Sequence, residues 1–171
     1  MKQNSGFTII EIMITVLIVA IVLALGAPSF RELMANNRMT TSTNELVTAL
    51  NLARSEAIKR NARVKICSSS KPNNGNWSCN TSNDWATGWA VFHDIDDDDT
   101  PGGDTEEELI RVSEGFNDSI TVTHPADLLV YLASGEISNA GEFTLCDDRN
   151  KGRTIQISRT GRVKVEVANG C

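Results

Sequence analysis

The sequence predicts an α+β protein in which one long N-terminal α-helix, membrane-spanning in its first half, packs on an antiparallel β-sheet head. Three observations predict it. From Phe7 to Ala27 twenty-one residues carry a single charge, Glu11, and a helix of that length covers ~30 Å, the thickness of a bilayer's hydrocarbon core. Further on, Leu46, Leu50, Ala53 and Ala57 fall at i, i+4, i+7 and i+11, one face of a helix. From Val64 onward, short runs of strand-forming residues are separated by turn residues. In the last run Val163, Val165 and Val167 alternate with Arg162, Lys164 and Glu166.

The elements follow in order. Residues 1–6, MKQNSG, form a short polar leader ending in Gly6. It is not a secretory signal peptide, because the apolar run behind it is too long and no small-residue cleavage site follows. Residues 7–27 therefore stay in the mature protein as a transmembrane helix. Lys2 before the span places the N-terminus in the cytoplasm by the positive-inside bias, which Arg31 and Arg38 weaken. A carboxylate within such a segment costs on the order of 3 kcal/mol to insert, so Glu11 needs a partner or a purpose.

Residues 28–63 read as the amphipathic second half of the same helix. Pro28 cannot donate to the carbonyl of Ala24 and predicts a kink or a short locally melted stretch. Asn36, Asn37 and the run Thr40–Thr43 are poor helix formers, so the middle of the rod depends on its surroundings. Lys59, Arg60 and Arg63 suit the helix's negative end. Residues 64–171 read as a β-rich head with strands near 64–67, 89–92, 109–112, 119–123, 128–132, 142–146, 154–158 and 162–167. The sequence Ser158-Arg159-Thr160-Gly161 between the last two supplies a glycine for positive φ and predicts a β-hairpin. Trp85 and Trp89 are expected to pack the helix onto the sheet.

Four cysteines, Cys67, Cys79, Cys146 and Cys171, all follow the span. An even count in an exported domain reads as two disulfides, with three possible connectivities. The preferred pairing is Cys67–Cys79, closing a short Asn- and Ser-rich loop, and Cys146–Cys171, tying residue 171 back onto the sheet. A zinc site is disfavoured, because there is no CxxC pair and His93 and His124 lack ligand-like spacing to the cysteines.

The net charge of −6 hides a partition. Nine acids and no base lie between Asp94 and Glu108, leaving 16 bases against 13 acids elsewhere, so an anionic partner is not excluded. The alternating Asp94, Asp96 and Asp98 suggest a calcium loop, but an EF-hand requires glycine at the position Asp99 holds, and the run reads as a solvated loop. No nucleophile elbow, phosphate loop or paired histidines occur, so the chain reads as a non-enzyme that needs no cofactor.

The leader ending in Gly6, the apolar run and the acid at the fifth position from Phe7 resemble the type IV pilin class. The head resembles one branch of that class, the minor pilins FimT and FimU and the type II secretion pseudopilin GspH. The matching pieces are LNLARSEAIKRNARVKIC, DWATGWAVFHD, EFTLCDDR and ISRTGRV before Cys171. The resemblance implies a pilin-like fold, cleavage between Gly6 and Phe7 by a prepilin peptidase, and N-methylation of Phe7. It also implies a single-pass protein of the inner membrane with its head in the periplasm, later placed in a pilus or pseudopilus. Its partners would be other minor pilins, the major pilin and the inner-membrane assembly platform. In that setting the Glu11 carboxylate of one subunit neutralises the Phe7 amine of a neighbour.

From Arg149 to Lys164 there are six bases (Arg149, Lys151, Arg153, Arg159, Arg162, Lys164) and no acid. Cations converging on an exposed ribbon contact successive phosphates, which suggests sequence-independent binding of double-stranded DNA. Some FimT-like minor pilins bind DNA for natural transformation through a Gly-Arg-x-Arg motif here. The present chain reads Gly161-Arg162-Val163-Lys164, which keeps the charge and loses the second bidentate fork. A solvated basic edge that discourages strand pairing is the competing reading. The expected function is a minor pilin that primes assembly of a type IV pilus and binds DNA at its tip. The alternative is a GspH-like pseudopilin of type II secretion, involved in protein export.

Overall fold

The computed structural model describes residues 6–69, 77–80, 83–95, 107–116, 119–168 and 170–171. The chain forms two compact units, the first ending at Arg38 and the second running from Met39 to Cys171. Helix α1, Ile9–Arg60, begins in the first and ends in the second.

In the first unit every described residue through Met34 is exposed, and the apolar stretch of α1 is long and apolar enough to cross a membrane. No break interrupts the helix at Pro28, so the locally melted stretch anticipated there is absent. Proline removes one backbone bond of a long cooperative ladder, a loss of ~3 kcal/mol that the surrounding Leu, Ala and Val residues tolerate. Burial along α1 begins only at Met39; Phe30 and Leu33, within the expected amphipathic half, are exposed.

In the second unit, α1 buries Leu46, Leu50, Ala53 and Ala57 completely. Its threonines bond back onto the helix, which does not by itself favour it, and burial holds the poor helix formers in place. The Thr43 hydroxyl donates to the Met39 carbonyl at 2.7 Å and Thr48 to that of Asn44 at 2.7 Å, while Ser42 and Thr43 are themselves buried. The head contains two four-stranded antiparallel sheets rather than one. With β1 Val64–Ser68, β2 Trp89–Asp94, β3 Glu107–Ser113 and β5 Leu128–Tyr131, the first has the order β3-β2-β1-β5. With β4 Ile120–Thr123, β6 Glu142–Asp147, β7 Gly152–Ile157 and β8 Val163–Val167, the second has the order β4-β6-β7-β8. A 3-10 turn, Trp85–Thr87, capped by the Asp84 side chain, leads into β2.

One core joins α1 to both sheets through Val64, Ile66, Val91, Leu129, Phe143, Leu145, Ile155 and Ile157. Trp85 and Trp89 are buried in it, in one cluster with the α1 stripe and both sheets. Trp85 stands edge-on to Phe143 of β6 at 4.9 Å and donates from Nε1 to the Ala126 carbonyl at 3.0 Å, while Trp89 lies 5.0 Å from Phe116. A smaller cluster covers the other face of the first sheet, where Cys67, Ala90 and Phe92 meet Trp77 and Cys79. β1 is therefore buried on both faces.

Candidate functional site

Two regions carry the predicted residues. At the start of α1, Gly6, Phe7 and Glu11 are all exposed, and a Cβ added to Gly6 would meet open space. Thr8 precedes the helix, and its hydroxyl accepts from the Glu11 backbone N–H at 3.3 Å. Thr8-Ile9-Ile10-Glu11 thus has the pattern of a capping box, with the carboxylate in the positively polarised first turn. The spacing of a threonine three residues before a glutamate signals this directly, and it gives Glu11 a local role beside any intersubunit one.

The second region is the β7–β8 hairpin, in the expected place. Gly161 has φ 72°, and its N–H donates to the Ser158 carbonyl at 2.8 Å, while Ser158 donates to the carbonyl of Arg162 at 3.0 Å. The glycine is buried: a Cβ there would lie 2.2 Å from the Gly135 carbonyl oxygen and 3.1 Å from the Tyr131 ring and the Arg54 guanidinium. Gly161 is therefore required by packing against the head as well as by its left-handed backbone. The Arg159 carbonyl accepts from Ile137 N–H at 3.0 Å, which fastens the turn to the segment after β5.

The six bases divide into distinct groups. Arg159 and Arg162 are exposed and make no ion pair among the described residues. Lys164 is exposed but ion-paired with Glu166. Lys151 is exposed and Arg153 half-buried. Arg149 is held by Asp147 at 2.5 Å; burial works to raise the Asp147 carboxyl, and bonds from Arg149 and Lys151 outweigh it and lower it. An open groove of 490 Å³ beside the tip is lined by Gln156, Ile157, Ser158, Arg162, Val163 and Lys164. Arg54 of α1, whose Nε donates to the Gly135 carbonyl at 3.1 Å, adds a cation beneath the tip. No local spacing announces it, because the contact is made between distant parts of the chain.

Both cysteine pairs are bonded, Cys67 to Cys79 and Cys146 to Cys171. The acidic run from Asp96 to Glu106 lies outside the described residues. The two acids that flank it are structural. Asp94 is buried in an ion pair with Lys65, at 4% and 1% exposure, and Glu108 pairs with Arg60 at 2.5 Å. Among the described residues no three His, Cys, Asp or Glu side chains converge on a metal-sized site.

A lone acid near the start of an exposed apolar helix, followed by a disulfide-bonded two-sheet head on the same helix, defines a pilin-class subunit, a minor pilin or pseudopilin. Comparison with known proteins narrows this. The chain matches the prokaryotic N-terminal methylation motif over residues 1–27 and the family described as Type II transport protein GspH over residues 42–161. It belongs to the GspH family. The crystal structure of the type IV minor pilin FimU of Pseudomonas aeruginosa is similar in fold, with a TM-score of 0.60 at 20% identity over 81% of this chain and 98% of that one. The minor pseudopilin EpsH of the Vibrio cholerae Type 2 Secretion System has a TM-score of 0.51 at 11% identity over 76% and 97%. A fimbrial protein of Pseudomonas aeruginosa is 40% identical over 58 residues, 34% of this chain. The chain spans 37% of that relative's length.

Proposed function

We propose that this chain is a minor pilin of a type IV pilus that primes assembly together with other minor pilins and the major pilin. In this reading prepilin peptidase cuts after Gly6, Phe7 is methylated, residues 7–27 hold the chain in the inner membrane, and the head lies in the periplasm. The observation that carries it is Glu11, the sole charge of the apolar stretch, four residues beyond Phe7 and inside the methylation motif. An α-amine has an ordinary pKa near ~8 and is cationic at neutral pH. An amine and a carboxylate in neighbouring subunits are each costly in lipid and compensate when they meet. The inner-membrane platform would supply the site where they do. Glu11→Ala is expected to leave membrane levels of the chain unchanged and to abolish its incorporation into filaments. A variant incorporated as well as the parent would overturn the reading, as would a mature protein whose mass retains residues 1–6.

The family's description as a type II transport protein, and the EpsH fold, favour a second reading, a pseudopilin of type II secretion. Deletion separates the two: loss of pili with normal protein export supports the first, and the reverse supports the second.

DNA binding at the hairpin tip belongs to the pilus reading. Exposed Arg159 and Arg162 beside the groove support it, whereas the pairing of Lys164 with Glu166 reduces the charge on offer. Two phosphate contacts correspond to a log–log salt slope of about −2 for duplex DNA. In a gel shift with the detergent-solubilised chain, Arg159→Ala with Arg162→Ala is expected to remove the shift. Equal binding by parent and variant, or none by either, removes DNA from the account.

A further inference from the structure

We infer that β8 is a self-complementary docking edge through which two copies of this chain pair head to head, extending the second sheet antiparallel across the copies. The inference is independent of the pilus reading and rests on the β8 register, its exposure and its charge order.

Edges of sheets are normally protected, and three of the four edges here show a device. Strand β3 carries a register shift against β2. Strand β5 is partly covered by the segment after it, through the Tyr131–Ile137 bridge and the bond from Ser138 N–H to the Val130 carbonyl. Strand β4 is bridged at Thr123 by Asp84. Among the described residues β8 has no bulge, no bridge and no proline. Among the described residues after β8, none is bonded along it either. Ala168 N–H still bonds to Gly152 of β7, and Cys171 is drawn over Gly152 to Cys146 of β6, away from the free edge.

The ladder with β7 fixes which backbone groups of β8 face outward. The Arg162 carbonyl accepts from Ser158 N–H and Ala168 N–H donates to the Gly152 carbonyl, so by antiparallel alternation Lys164 and Glu166 also face β7 while Val163, Val165 and Val167 point their N–H and C=O groups away. A second β8 meeting this edge must pair odd residues with odd residues. Three registers with substantial overlap satisfy that. Centring on Val165 of both copies sets Val163 opposite Val167 and each Lys164 opposite the other copy's Glu166. Moving one strand by two residues in one direction sets Lys164 against Lys164, and in the other Glu166 against Glu166. Opposite charges across strands stabilise and like charges destabilise, so the sequence Val-Lys-Val-Glu-Val selects the centred register. The lysine that would deter strand pairing on a purely basic edge becomes the group that fixes the pairing. On the other face Val165 and Val167, 41% and 68% exposed, are brought against Val165 and Val163 of the second copy. A five-residue pair is marginal alone in water, and confinement of both anchors in one membrane raises the effective concentration that it needs.

The test uses the full chain reconstituted in liposomes. Directly opposed residues of a hydrogen-bonded antiparallel pair lie ~5.5 Å apart at Cα, within reach of a disulfide. Val165→Cys is therefore expected to give a band of twice the chain's mass under mild oxidation, several-fold more than Thr123→Cys on the opposite edge. Adding Lys164→Glu places Glu opposite Glu at both positions and should lower the crosslink roughly fivefold, with Lys164→Glu plus Glu166→Lys restoring it. Thr123, Lys164 and Val165 are exposed and Glu166 half-buried, and unchanged protease resistance of the head checks that each variant folds. Equal crosslinking at residues 165 and 123, indifference to the charge reversal, or, in native membranes, a crosslink only to a protein of another size would each overturn the proposal.

Discussion

Asp94 and Lys65 show how much a single pair of residues decides here. Lys65 sits opposite Phe92 in the β1–β2 ladder, and Asp94 is two residues further along the same face, so the two meet diagonally, both almost fully buried. Removing one member of a buried pair leaves an uncompensated charge, which costs about 3–5 kcal/mol, whereas replacing both with apolar groups is often nearly neutral. Asp94→Ala is thus expected to lower the stability of the head by that amount, and Lys65→Met combined with Asp94→Ala to recover most of it. Urea unfolding in detergent micelles, followed by tryptophan fluorescence, measures both. Equal losses in the single and double variants would show that the ion pair is not what matters.

His124 makes a different residue-scale prediction. It is buried beside Trp85 and Phe143. Its Nδ1 accepts from Ala126 N–H at 3.0 Å, and its Nε2 has no hydrogen-bond partner among the described residues. Burial pushes the imidazole below its ordinary 6.5, against a smaller opposing contribution from the Ala126 backbone. The unfolded chain then binds the proton first, so stability is complete above the ordinary value and is lost as pH falls below it. The lowered carboxyls of Glu56, Glu108 and Asp147 act in the same direction but only near and below their ordinary range of 3.8–4.5. Between pH 7 and 5 the decline in melting temperature should therefore belong to His124 and flatten in His124→Gln. A slope unchanged in that variant would assign it to another group.

At the scale of elements, α1 is held by its buried stripe more than by its charges. The Arg60 guanidinium reaches both Glu56 at 2.8 Å and Glu108 at 2.5 Å, linking the helix end to β3. Hydrogen bonds from Arg60 hold both carboxyls low, yet Glu108 is about half exposed, and exposed pairs contribute less than ~1 kcal/mol. Leu50 is fully buried, and truncating such a leucine costs about 2–5 kcal/mol in lost transfer and cavity. Leu50→Ala is expected to destabilise several times more than Arg60→Ala, and only the arginine variant should lose its effect in high salt. Comparable, salt-insensitive losses would contradict that ranking.

The same scale shows what could be read from the sequence. The stripe of α1 and the last hairpin were legible because their signals are local: helical spacing at Leu46, Leu50, Ala53 and Ala57, alternation at Val163, Val165 and Val167, and a glycine where the turn needs positive φ. The capping threonine at position 8 was equally local and was overshadowed by the charge beside it. The division into two sheets was not legible, because strand order depends on pairings between distant segments that periodicity does not encode. Asp94 looked like the first residue of an acidic loop for the same reason, its partner Lys65 lying on another strand. The hairpin at the basic tip is legible in the sequence, whereas the pairing of Lys164 with Glu166 is not, because alternation places both on one face without showing that they meet.

For the whole molecule, the two disulfides pose a choice between entropy and cover. The Cys67–Cys79 link closes a separation of 12 residues and the Cys146–Cys171 link one of 25. Chain entropy alone makes the longer closure the more stabilising, about 3.5 against about 2.8 kcal/mol. Packing argues the other way. Cys67 and Cys79 belong to the small cluster over Phe92, where Trp77 lies 4.9 Å from the Phe92 ring. Cys171 is exposed at the end of the tail and covers mainly Gly152. Releasing the first loop would expose aromatic surface, and at roughly 25 cal/mol per Å² about 30 Å² of it already offsets the ~0.7 kcal/mol by which entropy favours the second. Cys67→Ala with Cys79→Ala is therefore expected to destabilise the head more than Cys146→Ala with Cys171→Ala. Only the first should also speed proteolysis within β1 and β2. The opposite order in urea unfolding would mean that the second link is worth more than its loop and its sparse cover suggest.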